Sequence, residues 1–201
     1  MRVSAGPRVG VLALQGDFRE HIAVLAALGA DAVPVKRPED LDSIAGLVIP
    51  GGESSVMDKL SRMFGLAEPL KDAISSGMPV YGTCAGLIMI ADTVLDSIDG
   101  QHNFGGLDVV VRRNAFGSQQ DSFETTLDIP ALGDPAVHAV FIRAPVIESV
   151  GAGVTVLGRL PDGRVVAVEQ GPLLGTSFHP EMTGDARFHE HFLRMVTAPA
   201  R

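Results

Sequence analysis

Cysteine, tryptophan and basic residues are scarce in this sequence. Its 201 residues include one cysteine and no tryptophan, and 24 acidic residues outnumber 16 basic ones, which gives a formal net charge of -8. One cysteine cannot form an internal disulfide, which fits a reducing compartment. The acidic balance and the scattered lysines and arginines disfavour nucleic acid as a partner.

Long apolar runs and targeting segments are lacking as well. No apolar stretch approaches the roughly 20 residues that cross a bilayer, and residues 1–8 hold no apolar segment of the signal-peptide kind. We therefore expect a cytoplasmic protein with no membrane partner. Because 46% of the residues are hydrophobic, the chain can bury one substantial core, and residues 1–201 are predicted to form a single domain.

The first half of the chain alternates apolar runs with helical periodicity. Strands are predicted at residues 8–14, 32–35, 46–49 and 79–83, with helices between them. The helix that begins at Phe18 directs Leu25 to its apolar face and places His21 off that face. Strands that alternate with helices predict an α/β fold, a three-layer sandwich with a mixed, mostly parallel central sheet.

After Ala91 the pattern changes to short strands separated by Gly, Pro and Asp turns. The predicted strands span residues 107–112, 122–127, 137–142, 154–160, 165–169 and 173–178. We expect them to extend the sheet and to add a side sheet. A last helix, with Phe188 and Phe192 on its apolar side, is predicted to close the core.

The only cysteine lies in Gly82-Thr83-Cys84-Ala85-Gly86, between two apolar runs. A strand that turns sharply into a helix needs small residues on both sides of the turn, because a side chain there would collide with backbone. Such a turn places the central side chain at a helix N-terminus, where unpaired N–H groups favour a thiolate. Cys84 is therefore the candidate nucleophile, although a lone cysteine in an apolar segment is also compatible with simple packing.

A base and a carboxylate for this nucleophile occur near the end of the chain. His179 and Glu181 follow the predicted strand at 173–178, and they project to the same side if the extended geometry persists through Pro180. Together with a cysteine they supply a nucleophile, a proton carrier and an orienting carboxylate. Taken singly, His179 is also compatible with a core or loop histidine, and Glu181 with a surface charge near a helix start.

Glycines at the end of the strand at 46–49 are candidates for an oxyanion hole. Gly51 and Gly52 let the backbone come close to a ligand and point N–H groups at it. The N–H groups of Gly52 and Ala85 would together suit the negative oxygen of a tetrahedral intermediate. An ordinary Pro-Gly-Gly turn is the alternative interpretation.

Metal and nucleotide sites are not predicted. His189 and His191 lie two apart on a predicted helix and face different directions, and one cysteine gives no zinc set. No Gly-rich phosphate-binding motif follows the first strand. We expect no metal and no cofactor, and His21, His102 and His138 receive no role.

With the Cys84 turn, the glycine turn and His179-Pro180-Glu181 in this order, the chain resembles the class I glutamine amidotransferases. Further motifs resemble those of the glutaminase subunits of pyridoxal 5′-phosphate synthases within that family. They are Leu14-Gln15-Gly16-Asp17, Pro50-Gly51-Gly52-Glu53-Ser54, Arg113-Asn114-Ala115-Phe116-Gly117-Ser118-Gln119, Ile142-Arg143-Ala144-Pro145 and Ser177-Phe178-His179-Pro180-Glu181. The resemblance covers nearly the whole chain.

The resemblance implies hydrolysis of L-glutamine to L-glutamate and ammonia through a γ-glutamyl thioester. Cys84 is expected to attack the side-chain amide, His179 to carry the proton, and Glu181 to hold His179. The residues placed around the glutamine are Gly52, Glu53, Ser54, Arg113, Ile142 and Arg143. Because an arginine offers a forked donor to a carboxylate, Arg113 or Arg143 is expected to hold the α-carboxylate or to order nearby loops.

The resemblance also implies a partner and a reaction class. The partner is a (β/α)₈-barrel synthase subunit that uses the ammonia within a large hetero-oligomer, and pyridoxal 5′-phosphate is a product of the complex, not a cofactor. The loop at Gln15 and Gly16 is expected to couple this partner to the oxyanion hole. Both hydrolase and lyase classes are expected for such an enzyme.

Two other interpretations stay open. The chain is alternatively a glutaminase that feeds a different synthase, or a cysteine peptidase-like relative on a similar scaffold. The second alternative is a non-catalytic binding or regulatory module that retains the fold. The combination of the Gln15 loop with the segment that starts at Arg113 favours the pyridoxal 5′-phosphate pathway, and an intact set of Cys84, His179 and Glu181 favours catalysis.

Overall fold

The computed structural model describes residues 6–113 and 122–198. Its strands are β1 (Arg8–Leu12), β2 (Asp31–Val35), β3 (Gly46–Ile49), β4 (Val80–Thr83), β5 (Ala91–Leu95), β6 (Leu107–Arg112), β7 (Ser122–Leu127), β8 (Val137–Ile142), β9 (Val146–Val150), β10 (Thr155–Arg159), β11 (Val165–Gln170) and β12 (Leu173–Thr176). Its α-helices are α1 (Phe18–Ala27), α2 (Ser54–Met63), α3 (Ala67–Ser75), α4 (Ala85–Ile90) and α5 (Arg187–Thr197). Short 3₁₀ helices span Pro38–Ser43, Pro130–Leu132 and Pro180–Met182.

One large sheet runs through the molecule in the order β2-β1-β3-β4-β12-β11-β9-β6-β5, and β10 pairs with β11. The pairs β2-β1, β1-β3, β3-β4, β4-β12 and β5-β6 are parallel. The pairs that β11 makes with β12, β10 and β9, and the pair of β6 with β9, are antiparallel. Strands β7 and β8 form a separate antiparallel pair. The expected mixed, mostly parallel central sheet with a side sheet is confirmed.

Two hydrophobic clusters cover the two faces of the sheet. Along β3, Leu47 and Ile49 belong to one cluster and Val48 to the other, because successive side chains of a strand point to opposite faces. The first cluster includes residues of α2, α3 and α4, and the second includes Leu25 of α1 and Phe188 of α5. Helices therefore lie on both sides of the sheet, which is the predicted three-layer α/β sandwich.

Some local predictions differ from the structure. No strand was predicted at β5 or at β9. β5 starts at Ala91, directly after the last residue of α4 and without an intervening turn, and β9 carries exposed Glu148 and Ser149 among its five residues. The predicted placement of His21 off the apolar face of α1 is wrong, since this side chain is fully buried. His21 lies four residues before Leu25, so both face the sheet.

Strand order decides where the candidate site lies. β4 pairs in parallel with β3 on one side and with β12 on the other, with Gly82 opposite both Ile49 and Gly175. In parallel strands the carboxyl ends meet at one edge of the sheet, where ligands bind in open α/β folds. The glycine turn after β3, Cys84 after β4 and the segment after β12 therefore emerge side by side.

Within the described residues, no helix has the length and apolar character that crossing a membrane requires.

Candidate active site

Cys84 occupies the sharp turn between β4 and α4. Its backbone has φ 48° and ψ −106°, a conformation that residues other than glycine rarely adopt and that is often found at functional sites. The Cys84 N–H donates to the carbonyl of Thr176 at 2.8 Å, which anchors the turn to β12. A Cβ at Gly86 would overlap the carbonyl oxygen of Ile49, and one at Gly82 would come within 2.6 Å of Gly86. The predicted need for glycine on both sides of Cys84 is confirmed.

His179 and Glu181 form a buried pair at the end of the neighbouring strand. His179 Nδ1 lies 2.7 Å from Glu181 Oε1, and their side chains are 5% and 0% exposed. The backbone differs from the prediction, because β12 ends at Thr176 and a 3₁₀ helix begins at Pro180. A proline that starts a 3₁₀ turn brings the side chains on either side of it together, so the contact does not require extended backbone.

The electrostatic environment of His179 favours its charged form. Burial lowers the pKa of His179, but hydrogen bonds and charge interactions with Cys84 and Glu181 outweigh it and raise the pKa to about 10. A protonated imidazole beside a cysteine is the partner that a nucleophilic cysteine needs. The side chain of Cys84 also lies 3.9 Å from the Ile142 carbonyl oxygen.

The glycine turn after β3 is held by Gln15. Gly52 has φ 141°, a backbone region that favours glycine. The side-chain amide of Gln15 forms two hydrogen bonds with the backbone of Glu53, the residue after Gly52. Its Oε1 accepts from the Glu53 N–H at 3.2 Å, and its Nε2 donates to the Glu53 carbonyl at 3.3 Å. The Gln15 side chain therefore fixes the orientation of the peptide groups around Glu53, and Gly16 approaches the Gly51 carbonyl so closely that a Cβ would overlap it.

Glu53 caps α2 and pairs with Arg113. Its carboxylate accepts from the N–H groups of Ser55 and Val56, each at 3.2 Å, and Arg113 Nη2 donates to Oε1 at 2.9 Å. Burial raises the pKa of Glu53, but the hydrogen bonds from Ser55 and Val56 and the charge of Arg113 outweigh it, so the pKa lies below its usual range. The other arm of Arg113, Nη1, donates to Gln101 at 2.9 Å.

One cleft of about 630 Å³ collects most of the predicted site residues. It is lined by Asp17, Gly52, Glu53, Ser54, Cys84, Ala85, Ile88, Ile98, Arg113, Ile142, Arg143, His179 and Met182. Glu181 lies behind His179 and does not line the cleft, and Gln15 reaches it only through the Glu53 backbone. Residues 114–119 of the predicted motif that begins at Arg113 lie outside the described residues.

Asp17 and His21 were given no site role by the sequence analysis. Asp17 lines the cleft, and its Oδ2 lies 3.5 Å from His179 Nδ1. Asp17, His179 and Glu181 thereby hold three potential metal-ligand atoms within 4.8 Å of one another, but the short contact from Nδ1 to Glu181 is explained by a hydrogen bond. A sequence signal for Asp17 existed, because it belongs to the Leu14–Asp17 motif. For His21 the only signal was its spacing of four residues from Leu25, which places both on one face of the helix.

Comparison with known proteins identifies the class of this chain. The sequence model of the SNO glutamine amidotransferase family matches residues 11–198. A solved glutamine amidotransferase is 45% identical, covers 94% of this chain and 99% of its own, and superposes with a TM-score of 0.88. The chain belongs to the SNO glutamine amidotransferase family.

Two relatives are more similar in sequence. A protein of Leifsonia xyli subsp. xyli is 70% identical over 194 residues, which is 96% of this chain and 98% of the relative. One of Clavibacter michiganensis subsp. michiganensis is 67% identical over 196 residues, covering 98% and 94%. Both carry the name pyridoxal 5′-phosphate synthase subunit PdxT.

The comparisons confirm the expected glutamine amidotransferase class and correct one expectation. The lyase class expected alongside hydrolase is wrong, because the family that matches this chain is one of glutamine amidotransferases. Releasing ammonia from an amide with water is hydrolysis, and no elimination is involved.

Proposed function

We propose that this chain is the glutaminase subunit of a pyridoxal 5′-phosphate synthase, which hydrolyses L-glutamine and passes the ammonia to a synthase subunit. The observation that carries the proposal is the cleft in which Cys84 and His179 interact, with Glu181 Oε1 2.7 Å from His179 Nδ1. The name shared by the relatives supports the pathway. We further propose that it acts in the cytoplasm, where a single thiol stays reduced.

The reaction follows from the order of these side chains. The Cys84 thiolate attacks the amide carbon of glutamine, and the carbonyl oxygen becomes an oxyanion facing the N–H groups of Ala85 and Gly52. Collapse of this intermediate breaks the C–N bond, and the His179 imidazolium gives its proton to the leaving nitrogen, which departs as ammonia. Neutral His179 then takes a proton from water, whose oxygen attacks the thioester, and glutamate leaves as the thiolate and imidazolium return.

Free glutamine carries a positive α-ammonium group and a negative α-carboxylate group, and the cleft holds a side chain of opposite charge for each. We propose that the Glu53 carboxylate receives the α-ammonium group and that Arg113 holds the α-carboxylate. The two side chains already lie 2.9 Å apart, so a zwitterion can bind them both without leaving either charge unpaired. Arg143, which is exposed at the cleft, is the alternative holder of the carboxylate. Ser54 and Ile142 complete the proposed glutamine site.

The cleft is also suited to being covered by a partner. Ile98 and Met182 line it and are 54% and 52% exposed, and Val56 on the adjacent helix is 42% exposed. Exposed large apolar side chains around a polar site favour a protein contact. We propose that a (β/α)₈-barrel synthase subunit covers this face within a large hetero-oligomer, which would keep the released ammonia from being protonated in water.

The loop of Gln15 and Gly16 is the proposed switch. Because Gln15 fixes the Glu53 backbone next to Gly52, a movement of Gln15 changes the direction of the peptide N–H groups of the glycine turn. We propose that contact with the synthase makes this movement and completes the oxyanion hole. Full activity of the purified chain without a synthase would contradict this switch.

The decisive experiment measures glutamate production with and without the synthase subunit. The native chain is expected to show strong glutaminase activity in the complex, and Cys84→Ala to show none. Activity that survives Cys84→Ala excludes the thioester mechanism. Native activity that responds to a different synthase, and not to the barrel subunit, would assign the chain to another pathway. A fully inactive native complex would favour a regulatory module.

A further inference from the structure

A buried cluster of polar side chains lies behind Glu181, and the reaction described above does not use it. His21 of α1 and His189 of α5 are both fully buried, and His21 Nδ1 lies 2.8 Å from His189 Nε2. The other ring nitrogen of His21, Nε2, lies 3.2 Å from Thr83 Oγ1 and 3.4 Å from Glu181 Oε2. His21 therefore lies next to the second oxygen of the Glu181 carboxylate, and its own two ring nitrogens contact Thr83 of β4 and His189 of α5.

Both imidazoles of this cluster are neutral. Burial first, and then the repulsion that a protonated His21 would meet from protonated His189 and His179, hold the pKa of His21 well below its usual range. Burial lowers the pKa of His189 to about 4. Each ring therefore carries one N–H at neutral pH, and the hydrogen bond between the rings leaves two possible arrangements.

In the first arrangement His21 carries its proton on Nδ1 and donates to His189 Nε2. The proton of His189 then sits on Nδ1, which has no hydrogen-bond partner among the described residues. The lone pair of His21 Nε2 would also face the lone pairs of Glu181 Oε2. A buried donor without an acceptor and two facing lone pairs are both unfavourable.

In the second arrangement His189 Nε2–H donates to His21 Nδ1, and the proton of His21 sits on Nε2. This N–H lies within reach of Thr83 Oγ1 and Glu181 Oε2, and His189 Nδ1 becomes an acceptor with no partner among the described residues. Buried acceptors without a partner are less rare than buried donors. Glu181 Oε2 has no hydrogen-bond partner among the described residues, and a proton on His21 Nε2, 3.4 Å away, would supply the donor that this oxygen lacks.

We propose that His21 is a positioning residue that donates its Nε2–H to Glu181 Oε2, and that His189 selects the required tautomer. The inference rests on the proposed function, in which Glu181 orients His179. The carboxylate is then held at both oxygens, Oε1 by His179 and Oε2 by His21. It cannot rotate while the imidazole gives up and regains its proton, so His179 keeps its alignment with Cys84.

Nitrogen-15 NMR of histidine-labelled native chain tests the tautomer without any change to the site. The expected spectrum shows His21 neutral with its proton on Nε2, and His189 neutral with its proton on Nε2. The pair of ring-nitrogen signals that disappears in His21→Leu belongs to His21, which assigns its resonances. A His21 proton on Nδ1, or a positively charged His21, overturns the proposal, and neither outcome depends on catalysis.

Steady-state kinetics of the complex with the synthase subunit test the positioning role. His21→Leu removes the donor, and kcat for glutamine hydrolysis is expected to fall about 10- to 100-fold with KM unchanged, because His21 does not line the cleft. His21→Gln retains an N–H donor and is expected to recover most of the loss. His138→Leu, at an exposed histidine paired with Glu124, is the matched control and should leave kcat unchanged.

The outcomes separate this inference from the proposed function. Native kcat in His21→Leu overturns the positioning role, as does an equal loss in the Leu and Gln variants at native melting temperatures. Undiminished glutamate production by Cys84→Ala would instead remove the proposed function itself, and the NMR result would still decide the tautomer.

Discussion

Arg113 Nη2 lies 2.9 Å from Glu53 Oε1 across the candidate cleft. The pair joins the end of β6 to the N-terminal cap of α2, and the guanidinium is further held by Gln101. Arg113 is only 10% exposed, whereas Glu53 is 45% exposed. The arginine is therefore rigid, and the carboxylate beside it stays open to a ligand.

This pair predicts how glutamine binding responds to substitution. Arg113→Ala removes the forked donor and is expected to raise KM for glutamine at least about 10-fold, the effect of losing one charge-assisted hydrogen bond to a ligand. Arg112→Ala is the matched control, because Arg112 bonds exposed Glu148 and Asp96 instead. Steady-state kinetics of the complex measure both. If Arg143→Ala raises KM for glutamine and Arg113→Ala does not, the α-carboxylate of glutamine is held by Arg143 and not by Arg113.

The protonation of His179 predicts a titration that depends on Cys84. With a pKa of about 10, the native imidazole is expected to stay protonated at pH 8, and in Cys84→Ala it should lose its proton at lower pH because one of the stabilising groups is gone. The pKa is higher in the folded state than the usual 6.5. The stability contributed by this imidazole is thus complete below about pH 6.5 and is lost as pH rises through about 10. NMR titration of the histidine carbon-bound protons checks the shift, and an identical pKa in both proteins would contradict it.

The close approach of Gly86 to β3 predicts a large loss of stability on adding one methyl group. In Gly86→Ala the new Cβ would overlap the Ile49 carbonyl oxygen, and such overpacking typically costs about 1–3 kcal/mol or more. Gly153→Ala is the control, since its Cβ would meet only Gln170 Nε2 at 3.8 Å. Thermal melts followed by circular dichroism compare the two variants. Equal melting temperatures would show that the backbone at β3 yields without cost.

The domain organisation gives a prediction of its own. We propose that residues 1–201 fold as a single domain, because the large sheet carries both hydrophobic clusters and strands from both halves of the chain. Urea unfolding should then follow one cooperative transition, with coincident midpoints by circular dichroism and by tyrosine fluorescence. Two separated transitions would divide the chain into independent units.

The Gln15 contact predicts a change in the response to the synthase. Gln15→Ala frees the Glu53 backbone, so the ratio of glutaminase activity with the partner to activity without it is expected to fall several-fold. Gln170→Ala, at a glutamine that bonds Asp108 away from the cleft, is the matched control. An unchanged activity ratio in Gln15→Ala, at native affinity for the synthase, would exclude Gln15 as the switch.

The parts of the fold that sequence predicted are those with a strong local signal. β3, β6, β7 and β8 begin and end where their apolar patterns do, because apolar runs bounded by Gly, Pro and Asp turns are specific to strands. β9 was not predicted, because exposed Glu148 and Ser149 interrupt its apolar pattern. Strand order is decided by pairing between distant segments, which no local pattern records.

The candidate site divides in a similar way. Cys84, His179 and the glycine turn were predicted, because each lies in a short sequence motif whose adjacent residues indicate its role. His21 was not, because a single histidine on an amphipathic helix gives no sign of the partner it meets. That partner, Glu181, is 160 residues away in sequence and contacts His21 only through the packing of α1 against the segment after β12.

The parallel pairing of β3, β4 and β12 also bears on how such an enzyme can be regulated. Neighbouring strands are about 4.8 Å apart, so the spacing of the glycine turn, Cys84 and the segment that carries His179 is set by the hydrogen bonds of the sheet interior. Backbone amides in such central strands exchange most slowly with solvent, since they open only with global unfolding. The proposed partner at the cleft would therefore redirect loop peptides at low energetic cost, and the sheet would keep the distances between the reacting groups constant from the free chain to the complex.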